Sequence, residues 1–322
     1  MTDLDLKDWK ILYELDVDSR QSFKAIARKV GLSKDSVIYR INKLQADGVV
    51  KRFHTVIDVG KLGLISFRLY LKFQNTTPEK EAEMIEFLKK QEIVTWIASA
   101  EGEYDLAMAI FCPSISEMNA LWRALLRKFR GNIERRWLTI FTTVRYFPRA
   151  YFLDKKQNFD EYVFVTEPVK PAVDKKDIKI LEQLAGDARM PVIEIAKKSG
   201  LTPKTVIARI KNLEKENVII GYRTMFDLEK LGYQYFKLHL NMLHLSEEKE
   251  RELRQFIKAH PNIVYDNEVL GGDDIEIEIQ CKTIEEFRKI LGEIKEKFSG
   301  LIKNYRYFLF YKEHKYVFFP TV

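Results

Sequence analysis

The chain has 322 residues, of which 46% are hydrophobic and 31% charged, a composition that suits two or three folded domains and excludes an intrinsically disordered chain. No apolar run approaches the roughly 20 residues of a membrane span and no apolar signal core follows Met1, so a cytoplasmic protein is expected. The 54 Lys and Arg against 47 Asp and Glu give +7, which permits nucleic-acid binding without demanding it, while Cys112 and Cys281 cannot build a disulfide framework or a structural zinc site.

Over the first 60 residues apolar positions recur at helical spacing in three blocks: Trp9, Leu12 and Leu15; Phe23, Ile26, Ala27 and Val30; and Val37, Ile38, Ile41 and Leu44. Three short amphipathic helices are predicted. The last two are separated by Gly31-Leu32-Ser33, where glycine supplies the left-handed residue that ends a helix and Ser33 caps the next, a helix-turn-helix spacing. The β-branched and aromatic run 48–58 then predicts a short hairpin, or wing. From Leu64 the period becomes two, with Phe67, Leu69, Leu71 and Phe73 alternating with Arg68, Tyr70 and Lys72, which predicts a strand. A helix is expected over 78–90, strands over 93–100 and 105–111, a helix over 116–129 and a long strand over 133–146. The order βαββαβ is ferredoxin-like, an antiparallel sheet with both helices on one face and the other face bare.

Sliding the chain against itself by 169 positions, the difference between Asp177 and Asp8, lays Ile26-Ala27 over Ile195-Ala196, Gly31-Leu32 over Gly200-Leu201 and Arg40-Ile41 over Arg209-Ile210. The match continues to Gly102 over Gly271, Asp105 over Asp274 and Cys112 over Cys281. A repeat this long is a duplicated domain pair, not a solenoid unit. The expected segments are a winged helix-turn-helix domain at 1–60, a ferredoxin-like domain at 61–153, a linker at 154–173, a second helical domain at 174–230 and a second sheet domain at 231–322. The second sheet is predicted to use strands 235–243, 263–270, 275–281 and 302–311. Pro168 and Pro171 mark the linker, although its apolar run 162–165 can pair as an extra strand. The fold class is therefore α+β, two winged helix-turn-helix domains alternating with two ferredoxin-like βαββαβ domains, whose bare sheet faces are expected to pair within the chain.

The second helix of a helix-turn-helix enters the DNA major groove. Outward on that helix lie Lys34, Ser36, Tyr39, Arg40 and Lys43, and in the second copy Lys204, Thr205, Arg209, Lys211 and Asn212, with Ser33 and Thr202 at the helix starts. These residue types bind phosphates and base edges, and Arg52 and Arg223 on the wings are expected to reach the flanking backbone. On a lone helix they would be an ordinary solvated face. The same pattern twice, with six of the seven excess positive charges in 1–60 and 170–231, favours double-stranded DNA as the partner. In the turns 101–105 and 271–274, Gly102 and Gly271 allow positive φ, and Asp105 and Asp274 offer an acceptor to the amino group of a small ligand, although a tight hairpin alone also asks for glycine and aspartate. Cys112 and Cys281 are expected to be small buried hydrophobes. His54, His239, His244, His260 and His314 are unmatched between copies and show no metal spacing, and no phosphate loop or nucleophile elbow occurs, so no metal, cofactor or enzyme chemistry is expected.

In Leu4-Asp5-Leu6-Lys7-Asp8-Trp9, Asp18-Ser19-Arg20, Ile26-Ala27-Arg28-Lys29-Val30-Gly31-Leu32-Ser33, Gly48-Val49-Val50 and Gly102-Glu103-Tyr104-Asp105-Leu106 the chain resembles the Lrp/AsnC family, the feast/famine transcription regulators of bacteria and archaea. The second copy adds Asp187-Ala188-Arg189 and Ile195-Ala196-Lys197-Lys198-Ser199-Gly200-Leu201-Thr202. The resemblance implies a DNA-binding regulator whose sheet domains pair and take an amino acid or similar small effector, at positions that map to Gly102, Tyr104, Asp105, Gly271 and Asp274. It also implies a homodimer. Ordinary members carry one copy per chain, and here the second copy has Asp273 in place of Tyr104. The two heads differ as well, Asp35 matching Lys204 and Tyr39 matching Ala208, so unlike DNA half-sites are expected. The sirohaem decarboxylases resemble the same fold and give the alternative, an enzyme with basic and histidine residues around a tetrapyrrole; a sensor without DNA binding is a third reading.

Overall fold

In the computed structural model helix α1 (Leu6–Val17) opens on a capping box, Asp5 accepting from the backbone of Lys7 and Asp8 while Asp8 accepts from the backbone of Asp5. Its duplicate α6 (Lys175–Gly186) repeats this with Asp174 and Asp177. Helices α2 (Phe23–Val30) and α7 (Val192–Ser199) end at Gly31 and Gly200, whose φ of 66° and 71° only glycine adopts at little cost. Ser33 and Thr202 then cap α3 (Lys34–Ala46) and α8 (Pro203–Lys215). The structure describes residues 4–155, 161–165, 167–171, 173–243, 246–317 and 319; Lys156, Gln157 and Asn158 of the linker and His244 lie outside them.

The predicted wing hairpin is corrected. Residues Val50–Ile57 form one unbroken strand, β1, and Ile219–Phe226 form its duplicate β7; the two pair with each other, antiparallel, with Thr55 opposite Tyr222. The run holds no turn residue on which to fold back, so its backbone groups find partners on the other copy. Each first helix then packs on the opposite copy's strand, α1 on β7 and α6 on β1. The crossing bonds come in duplicate: Ser19 N–H donates to Tyr222 O (2.9 Å) and Ala188 N–H to Phe53 O (3.1 Å). Thr224 Oγ1 donates to Leu15 O (2.7 Å) and Thr55 Oγ1 to Leu184 O (2.8 Å). Arg20 and Arg189 reach the backbone carbonyls of Ala188 and Ser19 in the same reciprocal way. One apolar core fills both heads, with Ile11, Leu15, Val37 and Ile41 beside their duplicates Ile180, Leu184, Val206 and Ile210.

The sheet domains contribute β2 (Ile65–Phe73), α4 (Pro78–Lys89), β3 (Val94–Gly102), β4 (Leu106–Cys112), α5 (Ile115–Phe129) and β5 (Ile133–Tyr146), then β6 (Tyr162–Val165) from the linker. The second copy supplies β8 (Gln234–Met242), α9 (Glu247–Ala259), β9 (Ile263–Leu270), β10 (Ile275–Cys281), α10 (Ile284–Lys297) and β11 (Ile302–Tyr316). The sheet order is β2-β4-β3-β11-β8-β10-β9-β5-β6, and β2 also pairs with β5, so eight strands close into a barrel with β6 as a spur. Two four-stranded ferredoxin-like sheets thus face each other and share both edges, β3 with β11 and β5 with β9. This pairing carries β11 to Tyr316, five residues past the predicted end, because Lys315 and Tyr316 lie opposite Ile97 and Trp96.

Outside the barrel, Met84, Leu88, Leu121 and Leu125 of α4 and α5 cover Leu69, Leu71 and Met108. Leu253, Ile257, Phe287 and Ile290 of α9 and α10 cover Leu238, Leu240 and Ile277. Each such side chain contributes about 1.5 to 3 kcal/mol by leaving water. Cys112 and Cys281 lie fully buried in these two layers. The linker is docked: Tyr162 pairs with Tyr146, the Tyr162 hydroxyl donates to Val17 O, and Val169 N–H donates to Gly60 O. Among the described residues no helix is long and apolar enough to cross a membrane.

Candidate nucleic-acid interface

Burying Val37, Ile41 and Leu44 turns the opposite side of α3 outward, and there Lys34, Tyr39 and Lys43 are exposed, Tyr39 by 68%. On α8 the same burial of Val206, Ile210 and Leu213 exposes Lys204, Lys211 and Asn212. Ile38, predicted to be buried, and its duplicate Ile207 sit one residue past the core positions; Ile38 is half-buried and Ile207 45% exposed. Ser33 and Thr202 cap their helices through Ser36 N–H (3.1 Å) and Thr205 N–H (3.2 Å), and each hydroxyl also meets that of Ser36 or Thr205 at 2.8 Å. Amines, a phenol, hydroxyls and an amide on an exposed helix are what phosphates and base edges bind.

Arg40 and Arg209 are placed differently from the lysines. Arg40 Nη1 lies 2.9 Å from Asp5 and 2.7 Å from Asp8; Arg209 Nη1 lies 2.9 Å from Asp174 and 2.8 Å from Asp177. Each arginine thus ties its reading helix to the first turn of its own copy's first helix. The carboxylates hold both guanidinium groups above their ordinary pKa, Asp8 and Asp177 most. Asp5 and Asp174 are held below the usual carboxylate range, first by the backbone N–H of Asp8 and Asp177. A groove of about 660 Å³ runs here, lined by Asp5, Asp8, Asp35, Ser36, Tyr39, Arg40 and Lys43. These acid pairs were absent from the sequence-based site; their signal was an Asp-x-x-Asp repeated ahead of both first helices.

On the wings, Arg52 is exposed on β1, but Arg223 is not available to DNA and that expectation is corrected. Arg223 is 3% exposed, donates to the Tyr265 hydroxyl (2.7 Å) and lies against Tyr146 and Asp16, because β7 is covered by the heads on one face and the barrel on the other. At the 169 offset it matches His54, and Arg52 matches Gly221.

The expected effector positions are also partly corrected. Tyr104 is 1% exposed and stacks on Tyr70 inside the barrel, out of reach of a ligand at the turn. Asp105 accepts from Phe73 N–H (2.6 Å) and Lys72 Nζ (2.8 Å), which fastens the turn to β2. Asp274 accepts from Met242 N–H (2.6 Å) through one oxygen, with no second partner among the described residues, and is itself exposed. Gly102, with φ 123°, leaves little room for a side chain, since a Cβ would lie 3.1 Å from Tyr307 O; Gly271, with φ 84°, is exposed. Among the described residues no His, Cys, Asp and Glu group has the arrangement of a metal site.

The family model for winged helix-turn-helix DNA-binding matches residues 4–51 and 173–220, the two heads. The proline dehydrogenase transcriptional activator of Rhodobacter capsulatus is 34% identical over 127 residues, which cover 38% of this chain and 79% of that protein. The leucine-responsive regulatory protein of Haemophilus influenzae is 30% identical over 131 residues, covering 40% and 79%. Over its full length the chain has the fold of the siroheme decarboxylase NirDL, with a TM-score of 0.63 at 16% identity, covering 97% of this chain and 93% of that one. From this homology, carried by heads that both match the same model, the chain belongs to the Lrp/AsnC family of winged helix-turn-helix transcription regulators.

Proposed function

We propose that the chain binds double-stranded DNA through α3 and α8 and regulates transcription from unlike half-sites. The observation that carries this reading is the pair of exposed reading helices set on one shared core, each presenting lysines beside a capped N-terminus. Ser33, Lys34, Ser36, Tyr39 and Lys43 serve one half-site, and Thr202, Lys204, Thr205, Lys211 and Asn212 the other, with Arg52 on the flanking phosphates. Arg40 and Arg209 act as clamps that neutralise the carboxylates next to the DNA. A small effector bearing an amino group finds its acceptor at Asp274, whose second oxygen has no partner among the described residues. The role proposed is regulatory and not enzymatic, the role named for the relatives from Rhodobacter capsulatus and Haemophilus influenzae. Assembly into a homodimer and a cytoplasmic location belong to the same proposal.

Fluorescence anisotropy on the DNA upstream of the chain's own gene, at 50 and 200 mM salt, tests it. Affinity is expected to fall steeply with salt and footprints to show two unlike half-sites separated by whole turns of about 10 bp. Absence of binding, or binding indifferent to salt, overturns DNA recognition; a perfect palindrome under a single chain overturns the unlike half-sites.

A further inference from the structure

The barrel interior is where duplicated positions differ in kind. At the 169 offset Tyr70 matches His239, Ala107 matches Glu276, Trp137 matches Arg306 and Tyr104 matches Asp273, so the first sheet offers aromatic or small side chains where the second offers charges. Three of these second-copy groups, His239, Asp273 and Glu276, are each 2% exposed or less, as is Lys237, whose duplicate Arg68 is also basic.

Within the second copy, Lys237 Nζ lies 3.1 Å from Glu276, His239 Nδ1 3.1 Å from Asp273 and Arg306 Nη2 2.7 Å from Asp273. The first copy adds contacts to this set, while Trp137 Nε1, His239 Nε2, Glu276 Oε1 and Arg306 Nε keep no hydrogen-bond partner among the described residues. The Tyr70 hydroxyl donates to Glu276 Oε2 (3.0 Å), the Trp137 ring carries the Arg306 guanidinium at 4.3 Å, and the Tyr70 ring meets His239 edge-on at 5.4 Å. Tyr70 and His239 are duplicates of each other, as are Trp137 and Arg306, so the axis relating the copies passes between these contacting pairs. A barrel of two identical halves would therefore set each of them against itself.

Two second halves would put Arg306 on Arg306 and His239 on His239 and leave two buried Glu276 carboxylates without the Tyr70 hydroxyl. The junction below adds to this: Arg223 would face Ala185 where Asp16 now stands, a buried cation stripped of its carboxylate. Two first halves would bury two Tyr70 hydroxyls opposite Ala107, with no acceptor. We propose that the inner faces of the two sheets are an obligate unlike pair: the surface that closes the first half is a second half, on the same chain or on another copy of it, and neither half pairs with itself. This pairing stands apart from the DNA reading, but its consequence rests on that reading: every two-headed unit then holds one α3 and one α8, and the unlike half-sites are built into the barrel.

The test inserts a protease site after Lys155 of the full chain, cuts the folded protein, unfolds it in guanidinium, refolds it and reads the assemblies by native mass spectrometry. Only the 1:1 complex of the two halves is expected. Pairs of like halves in near-statistical proportion would overturn the proposal. A mutant cycle in the uncut chain decides the matter independently if the cut halves precipitate. Ala107→Glu places a second carboxylate beside Tyr70 and is expected to lower the unfolding midpoint by roughly 5 to 10 °C. Adding Glu276→Ala is expected to recover part of that loss, whereas losses that simply add mean that the two positions do not compete and the pairing is not selective. DNA affinity of the intact chain is not part of either readout, so the two proposals fail separately.

Discussion

Arg40 and Arg209 carry the sharpest revision at the scale of single residues. An arginine that reads a guanine edge and an arginine that masks two carboxylates both weaken DNA binding when removed, but in different ways. Clamped as they are, Arg40→Ala is expected to lower affinity for all sequences alike, because Asp5 and Asp8 then repel the phosphates. Adding Asp8→Asn should restore much of it; a preference relaxed at one base pair, measured on a panel of operators, would instead assign a base contact. Asp16 is the opposite case, an acid with no exposure that accepts from Arg149 and from the Tyr146 hydroxyl, while its duplicate is Ala185. Asp16→Ala strands a buried guanidinium and should cost about 3 to 5 kcal/mol in denaturant unfolding. His54, held well below its usual pKa chiefly by burial, is neutral when folded and takes up a proton on unfolding. More protons on the unfolded chain below about pH 6.5 mean that stability falls as pH drops from 7 to 5, by up to about 1.4 kcal/mol per pH unit per site, a slope that His54→Gln should flatten.

At the scale of elements, the head was legible wherever local chemistry decides. Gly31, Gly200, Ser33 and Thr202 announce helix ends by residue type, and the structure places those ends as expected. Ser33→Ala removes the hydroxyl that accepts from Ser36 N–H and should destabilise the head by about 1 kcal/mol, as should Thr202→Ala; thermal melts check both. The wing was legible as a strand but not as half of a ribbon. Whether β1 folds on itself or on β7 depends on a partner 169 residues away, and a local run of Val, Phe and Thr carries no address. The burial of Arg223 was lost for the same reason: alternation marks which residues lie on a strand, not how many of its faces are covered.

For the whole molecule, duplication followed by divergence is the governing fact. The heads share one core, the sheets close one barrel, and the docked linker and the Asp16 cluster join the two. On the proposed reading each head makes its own phosphate contacts, so Lys204→Ala with Lys211→Ala should weaken binding on every sequence and make the salt dependence shallower by roughly one to two units of slope. A slope unchanged by both substitutions, measured by anisotropy titration, would remove α8 from the DNA.

Read alone, the sequence determined the duplicated α+β architecture, the helix-turn-helix signals and the family, because period, caps and repeat offset are properties of neighbouring residues and of simple counting. Folding alone brings the wings together across copies, clamps Arg40 and Arg209, buries Tyr104 and Arg223, and sets aromatics of one copy against charges of the other inside the barrel. These are contacts between residues far apart in the chain, fixed by which faces are covered and which edges are shared, and nothing in local patterning specifies them.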